Sequence, residues 1–356
     1  MADRRVVLKM AGALVAAGLG SPARGVAAPV RPHRDIDPMA LVDPELKPAA
    51  LEILRNPDNF PPLSDETLPI IRAKIAALML PPLKTVPWKR AAVPGTAGNP
   101  EVTVYVVNAQ ADAFRPGIVF MHGGGFVFGD AKSTIPELQA LSAALDCCIV
   151  SVDYRLAPET RFTGSVEDNY ASLRWLHANA ADLGVDPARI AIMGESAGGG
   201  HAALLAIAAR DRGEVPLALQ VLVYPMLDDR TGSSHQMPDF IGTIGWKADA
   251  NRYGWRSFLG RAPGGPHVPA AGVPARVSDL SGLAPAFIGV GTLDLFVSED
   301  IEYARRLVEA GVQTELHVYP GAWHGFDHDP AASVAKRFNA AKMDALRRAL
   351  QIQPPL

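Results

Sequence analysis

Cysteine is nearly missing: the 356 residues hold two, and these are adjacent, Cys147 and Cys148. That excludes a disulfide framework and a structural zinc site. Neighbouring cysteines bridge only with a strained backbone, so both are expected as buried thiols at the start of a strand. An excess of one charge is missing too. Lys+Arg number 34 against 37 Asp+Glu, and no basic run occurs beyond the first residues. Nucleic acid is therefore not an expected partner. The uncharged apolar stretch Met10–Gly20 is shorter than the roughly 18 residues of a membrane span. Internal repeats and low-complexity tracts are absent from the sequence as well. Apolar and turn-forming residues, in contrast, are plentiful: 48% hydrophobic, with 32 Gly and 31 Pro. Such a chain buries one large core or two small ones and is not disordered as its main state.

The N-terminus reads as an address. Asp3-Arg4-Arg5-Val6-Val7-Leu8-Lys9 precedes the apolar stretch, and small residues follow, with Gly25-Val26-Ala27 as a cleavage site. This is the three-part layout of an export signal, and the arginine pair resembles a twin-arginine signal. The alternative is a disordered amphipathic start. On the export reading residues 1–27 are removed and the protein reaches the periplasm already folded, with no stable membrane span left. Disulfides then need not form outside the cell.

Residues 28–90 are rich in Pro and Leu, and Leu68, Ile71, Ile75 and Leu78 fall at helical intervals before Pro81-Pro82. This segment is expected to be helical and to pack over something larger. Beyond it the pattern changes to short apolar strands: 102–107, 117–121, 148–152, 190–193, 219–224, 286–290 and 316–319. Helical stretches at 134–145, 166–182, 197–211, 299–310 and 332–350 separate most of them. Continuous apolar strands alternating with helices mean an α/β fold with a mostly parallel central sheet, buried on both faces. Residues 91–228 and 276–352 are assigned to this core. The stretch 229–275, with Phe240, Trp246, Trp255 and Phe258, is too long for a plain connection. It is taken as an insertion that joins 28–90 in a cap, against the alternative of a surface excursion.

Chemistry-bearing residues stand at strand ends. Strand 190–193 runs into Gly194-Glu195-Ser196-Ala197-Gly198, and a helix of small residues follows. A Gly-x-Ser-x-Gly turn between strand and helix holds a serine nucleophile on strained backbone, with small flanks where strand and helix pass close. A phosphate loop is the rival reading, but Gly-x-x-x-x-Gly-Lys is absent. Strand 117–121 ends in His122-Gly123-Gly124-Gly125, which exposes bare amides. Gly123 and Gly124 N–H, with Ala197 N–H, are the candidate oxyanion hole; His122 is taken as orienting the loop.

A serine needs a positioned base. Of nine histidines, His324 follows the last strand on a loop at the edge where ligands gather in α/β sheets. His328 is its rival; His317 lies inside the strand and His201 on the helix after Ser196. The acid belongs between serine and histidine in chain order. Asp294 follows strand 286–290; Asp228 and Glu299 are rivals, and Asp294 could instead merely cap the next helix.

In order along the chain, His122-Gly-Gly-Gly125, Asp153-Tyr-Arg-Leu-Ala-Pro158, Gly194-Glu-Ser-Ala-Gly-Gly199 and His324-Gly-Phe326 resemble the bacterial hormone-sensitive-lipase-like carboxylesterases. The likeness covers roughly residues 90–350. It implies the α/β-hydrolase fold and a helical cap over acyl and alcohol pockets. It also supports Asp294, although the usual Asp-Pro-Leu-x-Asp-Glu appears here as Asp294-Leu-Phe-Val-Ser-Glu299, and Glu195 stands where Asp is frequent. The implied reaction is hydrolysis of a small-molecule ester through an acyl-enzyme on Ser196, His324 and Asp294, needing no metal or organic cofactor. Lactonase, amidase or acyltransferase chemistry would use the same three residues. A non-catalytic binder like the plant gibberellin receptors would lack the histidine that is present here. Trp246, Trp255 and Phe258 are open between pocket lining and packing. A homodimer is compatible with the sequence, which carries no signal for or against it.

Overall fold

The structure, a computed structural model, describes residues 36–55, 61–96 and 98–352. The export signal read at 1–27 lies outside the described residues. Helices α1 (Pro38–Leu41), α2 (Lys47–Arg55) and α3 (Leu68–Ala77) come first. The core then runs β1 (Trp88–Val93), β2 (Val102–Val107), β3 (Arg115–Met121), α4 (Ile135–Leu145), β4 (Cys148–Asp153), α5 (Phe162–Ala178) and α6 (Ala180–Leu183). It continues β5 (Val185–Glu195), α7 (Ala197–Arg212), β6 (Leu219–Val223), α8 (Ala248–Leu259), β7 (Ala286–Gly291), α9 (Val297–Glu309), β8 (Thr314–Tyr319) and α10 (Ser333–Ala349).

The eight strands form one sheet in the order β1-β2-β4-β3-β5-β6-β7-β8. Only the first two pairings, β1 with β2 and β2 with β4, are antiparallel. The period of two sends alternate side chains to opposite faces. On one face Val119, Met121, Ile190 and Ile192 pack with Leu173 of α5, Leu205 of α7 and Leu307 of α9. On the other, Ile118, Phe120, Ala191 and Met193 pack with Leu138 of α4 and Phe338 of α10. Both faces are thus covered, which is why these strands read as unbroken apolar runs. Helix α7 is buried along nearly its whole length, as a helix of small and apolar residues must be.

β1 carries Trp88, Lys89 and Arg90 and is exposed over its first half. It begins inside 28–90, so the strand pattern starts slightly before the boundary drawn from sequence. An edge strand needs no unbroken apolar run, and its charges protect the open edge. α3 ends at Ala77, ahead of the two prolines, and buries only Leu68 and Ile71; Leu78 is exposed. Cys147 and Cys148 are free, fully buried thiols, and burial pushes both thiol pKa values up, that of Cys148 to about 11.

The leading helices attach at two places. Asp43 N–H donates to Gly321 O at 3.0 Å, and Glu45 accepts from Ser333, so α1 and α2 sit beside the start of α10. Arg72 of α3 donates to Val127 O (2.8 Å) and Ala157 O (3.0 Å) and pairs with Glu159. Asp65 accepts from Tyr253 OH of α8 at 2.9 Å. Among the described residues no helix is long and apolar enough to cross a membrane.

Candidate active site

Parallel pairing brings the C-terminal ends of β3, β5, β7 and β8 to one edge of the sheet. Met121 pairs with Gly194, Glu195 with Val223, and Gly291 with Tyr319. The loops that follow therefore converge from residues 122, 196, 294 and 324.

Ser196 sits in the turn between β5 and α7 at φ 57°, ψ −121°, a region that L-residues seldom adopt. Neighbouring backbone holds it there: Ser196 N–H donates to Val223 O (2.9 Å), and Ser196 O accepts from Gly200 and Met226 N–H. Gly194 and Gly198 are required by close approach. A Cβ at Gly194 would overlap Gly198 O, and one at Gly198 would overlap Met121 O. Ser196 is 7% exposed.

His324 Nε2 lies 2.9 Å from Ser196 Oγ, and His324 Nδ1 lies 2.8 Å from Asp294 Oδ2. A carboxylate only accepts, so Nδ1 carries a hydrogen and Nε2 is free to accept from the serine hydroxyl. Asp294 is fully buried, and its other oxygen accepts Phe296 N–H at 2.9 Å. The two loops are tied to each other as well. Thr292 N–H donates to Tyr319 O, Leu293 N–H to Ala322 O, and Gly321 N–H to Thr292 Oγ1, each at 2.9 Å. The imidazole lies against Tyr224 (ring centroids 4.6 Å apart) and edge-on to Phe296 (5.2 Å).

The His122–Gly125 loop lies directly over the nucleophile: a Cβ at Gly123 would stand 3.5 Å from Ser196 Cβ. Ala197 opens α7, so its N–H has no partner within the helix. His122 Nδ1 lies 2.8 Å from Gly123 O, and Tyr154 OH donates to His122 O at 2.7 Å. The two rings stack at 4.3 Å. The loop beside Ser196 is thus fastened by the side chains of His122 and Tyr154.

This geometry has relatives. A family described as the α/β-hydrolase fold matches residues 118–328. The carboxylesterase NlhH of Mycobacterium tuberculosis is 39% identical over 248 residues, 66% of this chain and 74% of that protein. An arylesterase of Saccharolobus solfataricus is 32% identical over 221 residues, 61% of this chain and 70% of the other. A solved bacterial heroin esterase superposes with a TM-score of 0.79 at 38% identity, covering 88% of this chain and 99% of that one. The chain belongs to the hormone-sensitive-lipase-like carboxylesterases of the α/β-hydrolase fold.

The rival site residues of this esterase are engaged elsewhere. Asp228 binds the Arg230 guanidinium (2.8 Å), and Glu299 accepts Leu227 and Asp228 N–H, tying α9 to the loop after β6. His317 Nε2 lies 2.6 Å from Glu315. His201 is buried among Tyr154, Phe126 and Phe258, where burial pushes its pKa down to about 3. His328 points to Glu195, with Nε2 and carboxylate 3.9 Å apart.

Of the aromatics in 229–275, Trp255 and Phe258 are core residues packed on Phe126, whereas Trp246 stands 6.5 Å from the His324 ring. Glu195, noted above for standing where Asp is frequent, is a buried acid next to the nucleophile. Its carboxyl is buried beside Glu137, Lys342, His328 and Asp327, and burial raises its pKa to about 7.

Proposed function

We propose that this esterase hydrolyses small to medium acyl esters in two steps through an acyl-enzyme. Ser196 Oγ attacks the ester carbonyl while His324 Nε2 takes its proton. Asp294 keeps the ring in that tautomer and stabilises the imidazolium. Gly123, Gly124 and Ala197 N–H receive the oxyanion; each such donor is worth about 2.7–4 kcal/mol in the transition state. His324 then protonates the leaving alcohol, and water repeats the sequence on the acyl group. The observation that carries the reading is the unbroken chain from Asp294 through His324 to Ser196 at 2.8 and 2.9 Å.

Residues 28–90, with part of 229–275, act as the cap in this proposal. In support, Arg72 and Asp65 bind the loop after Gly125 and α8, respectively. The Arg4-Arg5 leader supports export to the periplasm by the twin-arginine route. The catalytic test is stopped-flow hydrolysis of a short nitrophenyl ester. A burst of about one nitrophenol per chain is expected, and Ser196→Ala should fold normally yet give neither burst nor turnover. Appreciable turnover by that variant would refute the assignment.

A further inference from the structure

Trp246 stands beside the base, its ring 6.5 Å from that of His324, without belonging to the three reacting side chains. Gly245 precedes it at φ +79°, and a Cβ at Gly245 would stand 2.7 Å from His324 O. The indole therefore starts from backbone that rests on the loop of the base. At the other end the six-membered ring covers Gly125: a Cβ there would overlap it. Its centroid lies 6.1 Å from Phe128 and 6.5 Å from His324. The ring is also fastened. Trp246 Nε1–H donates to Asn251 Oδ1 at 3.2 Å, and the fully buried Asn251 donates in turn to Thr231 O at 2.8 Å. Unlike Trp255, which is wholly enclosed, Trp246 keeps part of its surface in solvent.

We propose that Trp246 is a specificity-determining residue: a fixed flat wall between His324 and the Gly125 end of the loop, admitting flat or unbranched ester substituents and excluding branched ones. The inference rests on the ester-hydrolase reading above and deepens it. The ring spans from the base, 6.5 Å from its centroid, to Gly125 at the end of the candidate oxyanion loop, so on this proposal one substituent of a carbonyl held about 3 Å from Ser196 Oγ and those donors passes it. The ring cannot swing aside without breaking its bond to Asn251. A single methylene fitted or refused by an apolar pocket changes selectivity by about 10- to 200-fold, so removing the wall has a readable effect.

The experiment compares kcat/KM for nitrophenyl acetate, a tertiary-branched acyl ester and an acetate of a branched alcohol, in the wild type, Trp246→Ala and Trp246→Phe. Titration of Ser196 with a small fluorophosphonate counts competent sites, so each ratio is read per working enzyme. In Trp246→Ala the branched-to-acetate ratio should rise about tenfold or more for one of the two branched substrates. Which one rises tells whether the acyl or the alcohol side meets the indole. Trp246→Phe keeps an aromatic ring that ends short of the indole edge over Gly125 and lacks the N–H, and should shift the same ratio less. A ratio that moves less than twofold for both substrates in both variants would overturn the proposal. So would a loss shared equally by all esters, which marks mere structural support. A wild type that takes up no phosphonate would instead overturn the hydrolase reading, and the wall with it.

Discussion

Asp294 divides its two oxygens between Phe296 N–H and His324 Nδ1. An amide at this position can satisfy both only by presenting its NH₂ to one partner, which forces the imidazole into the wrong tautomer. Asp294→Asn should therefore lower kcat by up to about 10⁴-fold. Asp228→Asn, which weakens the clamp on Arg230, should change kcat less than tenfold. Steady-state kinetics on the two variants decides between them, and a reversal would move the acid. Asp294 was legible in the sequence because chain order and strand ends limit the choice. Glu195 was not, since its proton depends on Glu137, Asp327, His328 and Lys342, drawn from distant segments. Burial raises its pKa from 4.5 to about 7. The folded chain thus keeps a proton that the unfolded chain gives up, and this group's contribution to stability falls as pH rises through that window. Glu195→Gln should accordingly gain in Tm relative to the wild type between pH 5 and pH 8. A difference that stays flat across this range would contradict the buried, proton-holding carboxyl.

Among the elements, the loop from His122 to Gly125 depends on a lock outside its own sequence. Tyr154 follows β4, which pairs with β3, and so reaches His122 O across neighbouring strands. Tyr154→Phe leaves a buried carbonyl with one partner fewer, a loss of about 1–3 kcal/mol. Urea unfolding should show that loss, and, on the proposed oxyanion role of the loop, kcat should fall more than KM rises. A change in KM alone would assign the loop to binding. The three glycines marked the loop, and Asp153-Tyr-Arg was visible as a family motif, but pairing Tyr154 with the loop needed the strand order. Elements half exposed to solvent were the hardest to read. β1 carries charges at an edge, and α8 lies inside a long connection and buries the polar Asn251 and Ser257 along with its apolar residues.

For the whole molecule, the decisive property is parallel pairing. It brings Ser196 and His324, 128 positions apart, within hydrogen-bond reach at one sheet edge. The alternation of apolar strands and helices carried that information, so the fold and the three candidate side chains followed together. The approach of Trp246 did not follow, since it depends on the path of a long connection between β6 and β7. At this scale the proposed leader also has its test. Replacing Arg4-Arg5 by two lysines should hold the uncleaved protein in the cytoplasm, as fractionation would show; periplasmic protein in undiminished amount would contradict a twin-arginine route. The central claim is most directly tested by quenching the enzyme during the nitrophenol burst and measuring its mass. The account predicts one added acyl group per chain, mapped to the peptide holding Ser196 and missing from Ser196→Ala. An adduct on another residue, or turnover with no acylated enzyme at any time, would contradict it.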